Sequence, residues 1–141
     1  MKLSFACGCV LLSLLFAPQE PPKPAEEKPA AAAEAKPAAD AVKLTNPVKV
    51  TPESLASGKK VYGTDCAMCH GKDGSGSGDL AVDMKLKLAN FQDAEALKGM
   101  TDGEIFTLIT KGKGQMMGEE GRLKPNQVWD VVNYVRGFAK K

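Results

Sequence analysis

A Cys-x-x-Cys-His sequence is the feature that most constrains how this chain can fold. It contains Cys66, Cys69 and His70, which are two of the four cysteines of the 141-residue chain and its only histidine. Structural zinc needs about four Cys or His ligands, and this segment offers three, two of them adjacent. A thioredoxin-like redox pair lies in a βαβ setting, and the chain has no convincing alternating strand pattern.

Covalent attachment of haem fits all three residues. The thiols of Cys66 and Cys69 can form thioethers with the two vinyl groups of haem, and His70 is then carried beneath the iron as its proximal ligand. A porphyrin at the centre of a small core would also account for an aromatic content of only 6% and for many glycines in the connections. The motif therefore predicts one covalent haem c and its iron as the cofactor.

The glycine-rich run after the motif fits neither of two other ligands. A phosphate loop would end in Gly-Lys-Ser/Thr, which is not present. Residues 73–79 resemble the start of a calcium loop, but Met84 occupies the twelfth position, where a glutamate is needed. We interpret the run as a loop beside the haem. The formal net charge of +2, without a basic block, also argues against nucleic acid as a partner.

The composition divides the chain into three parts. Residues 1–17 begin with one lysine followed by a short apolar run, which is typical of an export signal and short for a membrane-spanning helix. Residues 18–46 are rich in Pro, Ala, Lys and Glu and are predicted to form a disordered tether. Residues 47–141 are predicted to form the folded domain. We therefore expect an exported, periplasmic protein, anchored at its N-terminus if the first segment is not cleaved.

Helical signals recur through the predicted domain. A Thr-Pro start predicts a helix over residues 51–62, and a capping box predicts another from residue 101 to a glycine at 112. A third helix begins near residue 125 with an apolar face at helical spacing, and a shorter helix is predicted over residues 94–98. The expected fold class is all-α, with short helices wrapped around one covalently bound haem.

The second axial ligand of the iron cannot be a second histidine of this chain. Methionine is the remaining soft neutral ligand. Met68 lies inside the attachment motif, whereas Met84 and Met100 lie among apolar neighbours, where methionine commonly fills a core. Met116 and Met117 follow a glycine-containing loop between two predicted helices. Because adjacent side chains in an extended segment face opposite sides, we expect only one of this pair to bind.

Taken together, these stretches resemble a class I c-type cytochrome. The resemblance is carried by "SGKKVYGTDCAMCHG", "LKLANF", "MTDGEIFTLITKGKGQMM" and "LKPNQVWDVVNYVRGF". It implies Met116 as the distal ligand, with Met117 where the family usually has a proline. It also implies that Gly58 and Tyr62 cross the last helix near Tyr134. The family often has prolines where Leu86 and Leu88 stand, and the backbone carbonyl of one of them usually accepts a hydrogen bond from the proximal imidazole, a role that Leu88 could fill.

An iron held by both His and Met has no open position for a substrate, which leaves one-electron transfer. We therefore expect an electron carrier rather than an enzyme, with redox proteins, including membrane-bound respiratory components, as its partners. Two alternatives stay open: a small haem subunit of a larger oxidoreductase complex, and a gas-binding sensor whose sixth position is open. The lack of a second histidine disfavours a one-haem peroxidase.

Overall fold

The computed structural model describes residues 39–139. Its helices are α1 (Ala39–Lys43), α2 (Pro52–Val61), α3 (Ala67–His70), α4 (Asp79–Asp83), α5 (Asp102–Lys111) and α6 (Pro125–Arg136). A π-helical segment, Tyr62–Cys66, joins α2 to α3, and two short strands, β1 (Gly112–Lys113) and β2 (Met116–Met117), pair antiparallel. The predicted all-α fold class is confirmed, with this small hairpin added to it.

The predicted export signal and most of the predicted tether, residues 1–38, lie outside the described residues. Among the helices of residues 39–139, none has both the length and the apolar character needed to cross a bilayer.

Two of the helix starts that the sequence predicts are capped by the side chain of a threonine. The hydroxyl of Thr51 accepts a hydrogen bond from the backbone N–H of Ser54 at 3.2 Å and so caps α2. Thr101 and Glu104 exchange both hydrogen bonds of a capping box at the start of α5. Gly112, with φ of 75°, ends α5 in the backbone region that favours glycine. These local signals need no tertiary contact, which explains why the sequence predicts them well.

The helix predicted over residues 94–98 is wrong, because this stretch forms turns. Two neighbouring side chains stabilise the turns: Asn90 accepts a hydrogen bond from the backbone N–H of Gln92 at 3.0 Å, and Asp93 accepts one from that of Glu95 at 2.9 Å. Short polar side chains that bond to the nearby backbone compete with helix formation. The helix α4 was not predicted at all.

The end of the predicted tether, residues 39–46, belongs to the fold instead. Helix α1 packs on α5, and Ala41 is buried there. Gly103 permits this contact, because a Cβ on it would overlap the carbonyl oxygen of Ala41 and crowd Leu44. The side chain of Asn46 donates a hydrogen bond to that of Asn133 at 2.8 Å. A small side chain docked on a glycine buries little apolar area, so composition does not reveal the contact.

Helices α2 and α6 cross at Gly58. A Cβ at this position would overlap the carbonyl oxygen of Asp130 and lie 2.8 Å from the Cβ of Tyr134. Tyr62, one turn further along, packs its ring against that of Tyr134 with centroids 5.4 Å apart. This confirms the crossing that the resemblance implies. Trp129 of α6 is buried with its ring stacked on that of Phe106, 4.1 Å between centroids.

Candidate functional site

The attachment motif lies at the end of one continuous helical segment. A π-helical turn adds a residue to a helix and is often found at functional sites. Here it ends at Cys66, and α3 then carries Cys69 and His70. Residues four apart share a helix face, and Cys66 and His70 accordingly line the same cleft. The buried hydroxyl of Tyr62 donates a hydrogen bond to the carbonyl of Gly71 at 2.8 Å, which fixes the end of α3.

An apolar cleft opens beside this segment. Cys66, His70 and Met116 line it together, although they come from different parts of the chain. The other walls are apolar side chains of Tyr62, residues 91–100, α5 and α6, and they include the thioether of Met100. Cys69 is partly buried and is not among the lining residues. The fold therefore brings three of the four predicted site residues into one cavity.

The imidazole of His70 differs from that of a surface histidine in its burial and in its lack of a hydrogen-bond partner at Nδ1. Its Nδ1 atom is buried and has no hydrogen-bond partner, so the carbonyl of Leu88 does not accept a hydrogen bond from it in this structure. The ring stacks on Phe91 with centroids 5.0 Å apart. Burial lowers the pKa of His70, which favours the neutral imidazole that metals bind.

The two thiols of the motif are not joined in a disulfide. Burial raises the pKa of the Cys66 thiol to about 12, and the nearby carboxylates of Asp65 and Glu119 add to the rise, whereas Arg122 opposes it. Cys66 thus remains a protonated thiol rather than a thiolate at neutral pH. Both sulfur atoms are available for thioether bonds.

Strand β2 separates the two adjacent methionines. Lys113 pairs with Met116 and Gly112 with Met117 across the hairpin. Successive side chains of a strand point to opposite faces. Met116 is partly buried and lines the cleft, whereas Met117 is 78% exposed. Gly114, with φ of 61°, lies in the turn that reverses the chain. Of the two, only Met116 faces the cleft.

These features fit a covalent haem. The cleft is lined by the imidazole of His70, the thiol of Cys66, the thioethers of Met100 and Met116 and otherwise apolar walls. Within residues 39–139 no group of three or more His, Cys, Asp or Glu side chains could hold a metal ion unaided.

Sequence reasoning missed an ion cluster beside the cleft. Arg122 donates a hydrogen bond from Nη2 to Oδ1 of Asp65 at 2.8 Å, and its Nε lies 3.0 Å from Oε2 of Glu119. The Arg122–Asp65 pair joins positions 57 residues apart. No spacing rule pairs residues at such a separation, so the sequence holds no signal for it.

Known proteins share this combination of fold and motif. The family model described as Cytochrome c matches residues 55–139. Cytochrome c6 of Limnospira maxima is 36% identical over 90 residues, which cover 62% of this chain and 96% of the relative. The FixP subunit of a cbb3-type cytochrome c oxidase from Bradyrhizobium diazoefficiens is 34% identical over 95 residues, 60% of this chain and 30% of the relative.

Among solved structures, the c-type cytochrome KustC0563 is similar with a TM-score of 0.52 and 36% identity, over 59% of this chain and 98% of that one. The part of the chain from α2 onward thus corresponds to nearly the whole of a small cytochrome.

Proposed function

The chain belongs to the cytochrome c family, as a class I mono-haem member with covalent haem c, and on this premise we propose that it carries single electrons with an iron bound by His70 and Met116. Cys66 and Cys69 would hold the porphyrin through thioether bonds. When bound, the haem supplies a reversible one-electron change at its iron. The chain's own residues attach and orient it and keep water from it.

The observation that carries this proposal is the shared cleft of His70 and Met116. Their side chains reach it from α3 and from β2, two segments far apart in sequence. With Met116 and His70 both bound to it, the iron would have no open position, and the thioether would raise the reduction potential of the haem. Such a site can exchange electrons and cannot bind a substrate at the metal. This supports an electron carrier rather than an enzyme.

The relatives support two settings for this carrier. Cytochrome c6 is matched over nearly its whole length, which favours a protein that acts by itself. The FixP match concerns a subunit of an oxidase and favours a haem domain within a larger complex. We propose the first setting, with exported redox proteins as partners, an export signal or anchor at residues 1–17 and a tether that ends before α1. Purification of the native protein, alone or with other chains, separates the two settings.

Leucine substitutions of the two methionines test the ligand assignment. Met116→Leu should abolish the far-red ferric absorption band of sulfur-ligated haem, lower the reduction potential and let the ferrous iron bind carbon monoxide. Met117→Leu is the matched control, because it alters an exposed neighbour with the same change in volume, and it should keep the band. If instead Met117→Leu abolishes the band and Met116→Leu keeps it, Met117 is the iron ligand. Ready carbon monoxide binding by the unaltered protein would favour the gas sensor.

A further inference from the structure

Residues 116–123, which include the proposed ligand Met116, fold back along the end of α5. The backbone N–H of Glu119 donates to the carbonyl of Ile109 at 2.9 Å, and that of Glu120 donates to the carbonyl of Thr110 at 3.0 Å. The side chains of Lys111 and Glu120 form an ion pair on the same side. All of these contacts attach the segment to α5 alone.

Arg122 connects the same segment, residues 116–123, to the haem-attachment segment. Its guanidinium contacts Asp65, which directly precedes Cys66, and Glu119, which lies two residues beyond β2. In the described part of the chain, the Arg122–Asp65 contact is the one hydrogen bond between residues 116–123 and the attachment segment, residues 62–70. It therefore joins the two segments that contribute the two proposed iron ligands.

The partial burial of this cluster gives the link its strength. The side chains of Asp65 and Glu119 are 16% and 12% exposed, whereas that of Arg122 is 57% exposed. The guanidinium donates a hydrogen bond to Asp65 and forms an ion pair with Glu119, whose Oε2 has no hydrogen-bond partner, and a planar guanidinium suits two such contacts better than an ammonium. Without it, two poorly hydrated carboxylates would face each other beside the cleft. Their repulsion would push residues 116–123 away from the attachment segment.

We infer that Arg122 is a positioning residue, which holds the Met116 segment against the haem-attachment segment and so keeps Met116 within reach of the iron. This inference rests on the proposed His70 and Met116 ligation. An added ligand such as imidazole competes with Met116 for the iron only when that methionine has moved away. Loosening the Arg122 link should therefore raise the apparent affinity for imidazole without altering any atom that touches the haem.

The test is an imidazole titration of the mature ferric protein, together with its far-red band. Arg122→Gln should tighten apparent imidazole binding about fivefold, as expected for the loss of an ion pair of a largely exposed arginine, and should weaken the band. Arg122→Lys keeps the charge and should give a smaller change. Asp65→Asn should weaken the same link from the other side and act in the same direction as Arg122→Gln.

Two control variants separate positioning from other effects. Lys98→Gln removes the same charge from the exposed pair with Glu95 and should leave imidazole binding unchanged. Ser54→Ala removes a buried hydroxyl that accepts a hydrogen bond from Asn133, so it lowers stability far from the cluster. If either control tightens imidazole binding as much as Arg122→Gln, Arg122 has no specific positioning role.

The outcomes distinguish this inference from the proposal beneath it. If the unaltered protein has the far-red band and Arg122→Gln changes imidazole binding by less than twofold, the positioning role is overturned and the ligation stands. If the unaltered protein lacks the band, the Met116 ligation fails and the inference fails with it. If Arg122→Gln does not fold with its haem attached, the imidazole titrations of Arg122→Lys and Asp65→Asn test the positioning role by the same twofold limit.

Discussion

Helix α6 presents two faces to the interior, and they are filled in different ways. Towards α2, the backbone of Asp130 packs directly on Gly58, and the buried amide of Asn133 donates hydrogen bonds to Ser54 at 2.9 Å and to the carbonyl of Val48 at 3.1 Å. Towards the cleft, Val131 and Val135 offer only apolar surface. One face is completed by the protein's own atoms, and the other lines the cleft in which we propose that the haem packs.

This difference separates two sources of stability. The α2–α6 crossing is fixed by backbone contact and by a satisfied polar network, so it should be sensitive to single atoms added to the chain. The cleft is proposed to be filled by a large planar haem, so it should be sensitive to the loss of that group and tolerant of small changes in its walls. Three predictions challenge this comparison.

The largest expected effect is on the cleft. The double variant Cys66→Ala and Cys69→Ala should carry no covalent haem, because both thioether bonds are lost. Without the haem, the cleft walls lose their packing, and the free energy of unfolding should fall by several kcal/mol. A haem stain of a denaturing gel and a thermal melt measure both results. Met68→Leu, an exposed position inside the motif, is the control and should keep the stain. An unchanged melt in the double variant would mean that the cleft does not depend on haem.

An intermediate effect is expected at the crossing. Gly58→Ala places a methyl group on the carbonyl of Asp130, where the backbone of α6 cannot yield easily, and should lower the free energy of unfolding by about 1–3 kcal/mol. Gly63→Ala is the matched control, because nothing lies within 4 Å of its added Cβ and alanine favours a helix. Chemical denaturation compares the two. Equal stability of both variants would show that the crossing is looser than its geometry indicates.

The smallest change in the free energy of unfolding is expected at Gly103, because the neighbouring helix α1 can move away. Gly103→Ala creates a similar overlap, but with the carbonyl of Ala41 in the short helix α1. Helix α1 should detach while α5 gains helix propensity, so the free energy of unfolding should change by less than about 1 kcal/mol. Trypsin cleavage after Lys43 should become faster. Gly99→Ala, with open space around it, is the control, and equal cleavage rates in both variants would contradict the docking of α1.

The sequence predicts what depends on near neighbours along the chain. The caps at Thr51 and Thr101 and the end of α5 at Gly112 use residues within one helical turn, and each forms as expected. The motif at residues 66–70 likewise specifies its cofactor through fixed spacing, and the family match agrees with it. Such features need no knowledge of the tertiary fold.

Prediction from the sequence fails for features in which residues far apart along the chain come into contact. The π-helical turn before Cys66, the docking of Ala41 on α5 and the pairing of Arg122 with Asp65 all depend on contacts between separate segments. Even the placement of Met116 against Met117 depends on the hairpin register. Alternation along a strand separates the two side chains, but only the fold decides which one faces inward.

The docking of α1 on α5 also changes where the chain leaves the domain. Residues 39 to 46, eight in all, are held against the fold and no longer extend a spacer. A fully extended chain spans at most about 3.5 Å per residue, so the greatest possible distance between the domain and the N-terminus shrinks by roughly 28 Å. If the N-terminus is held at a membrane, the surfaces that give and take electrons must lie within this smaller radius.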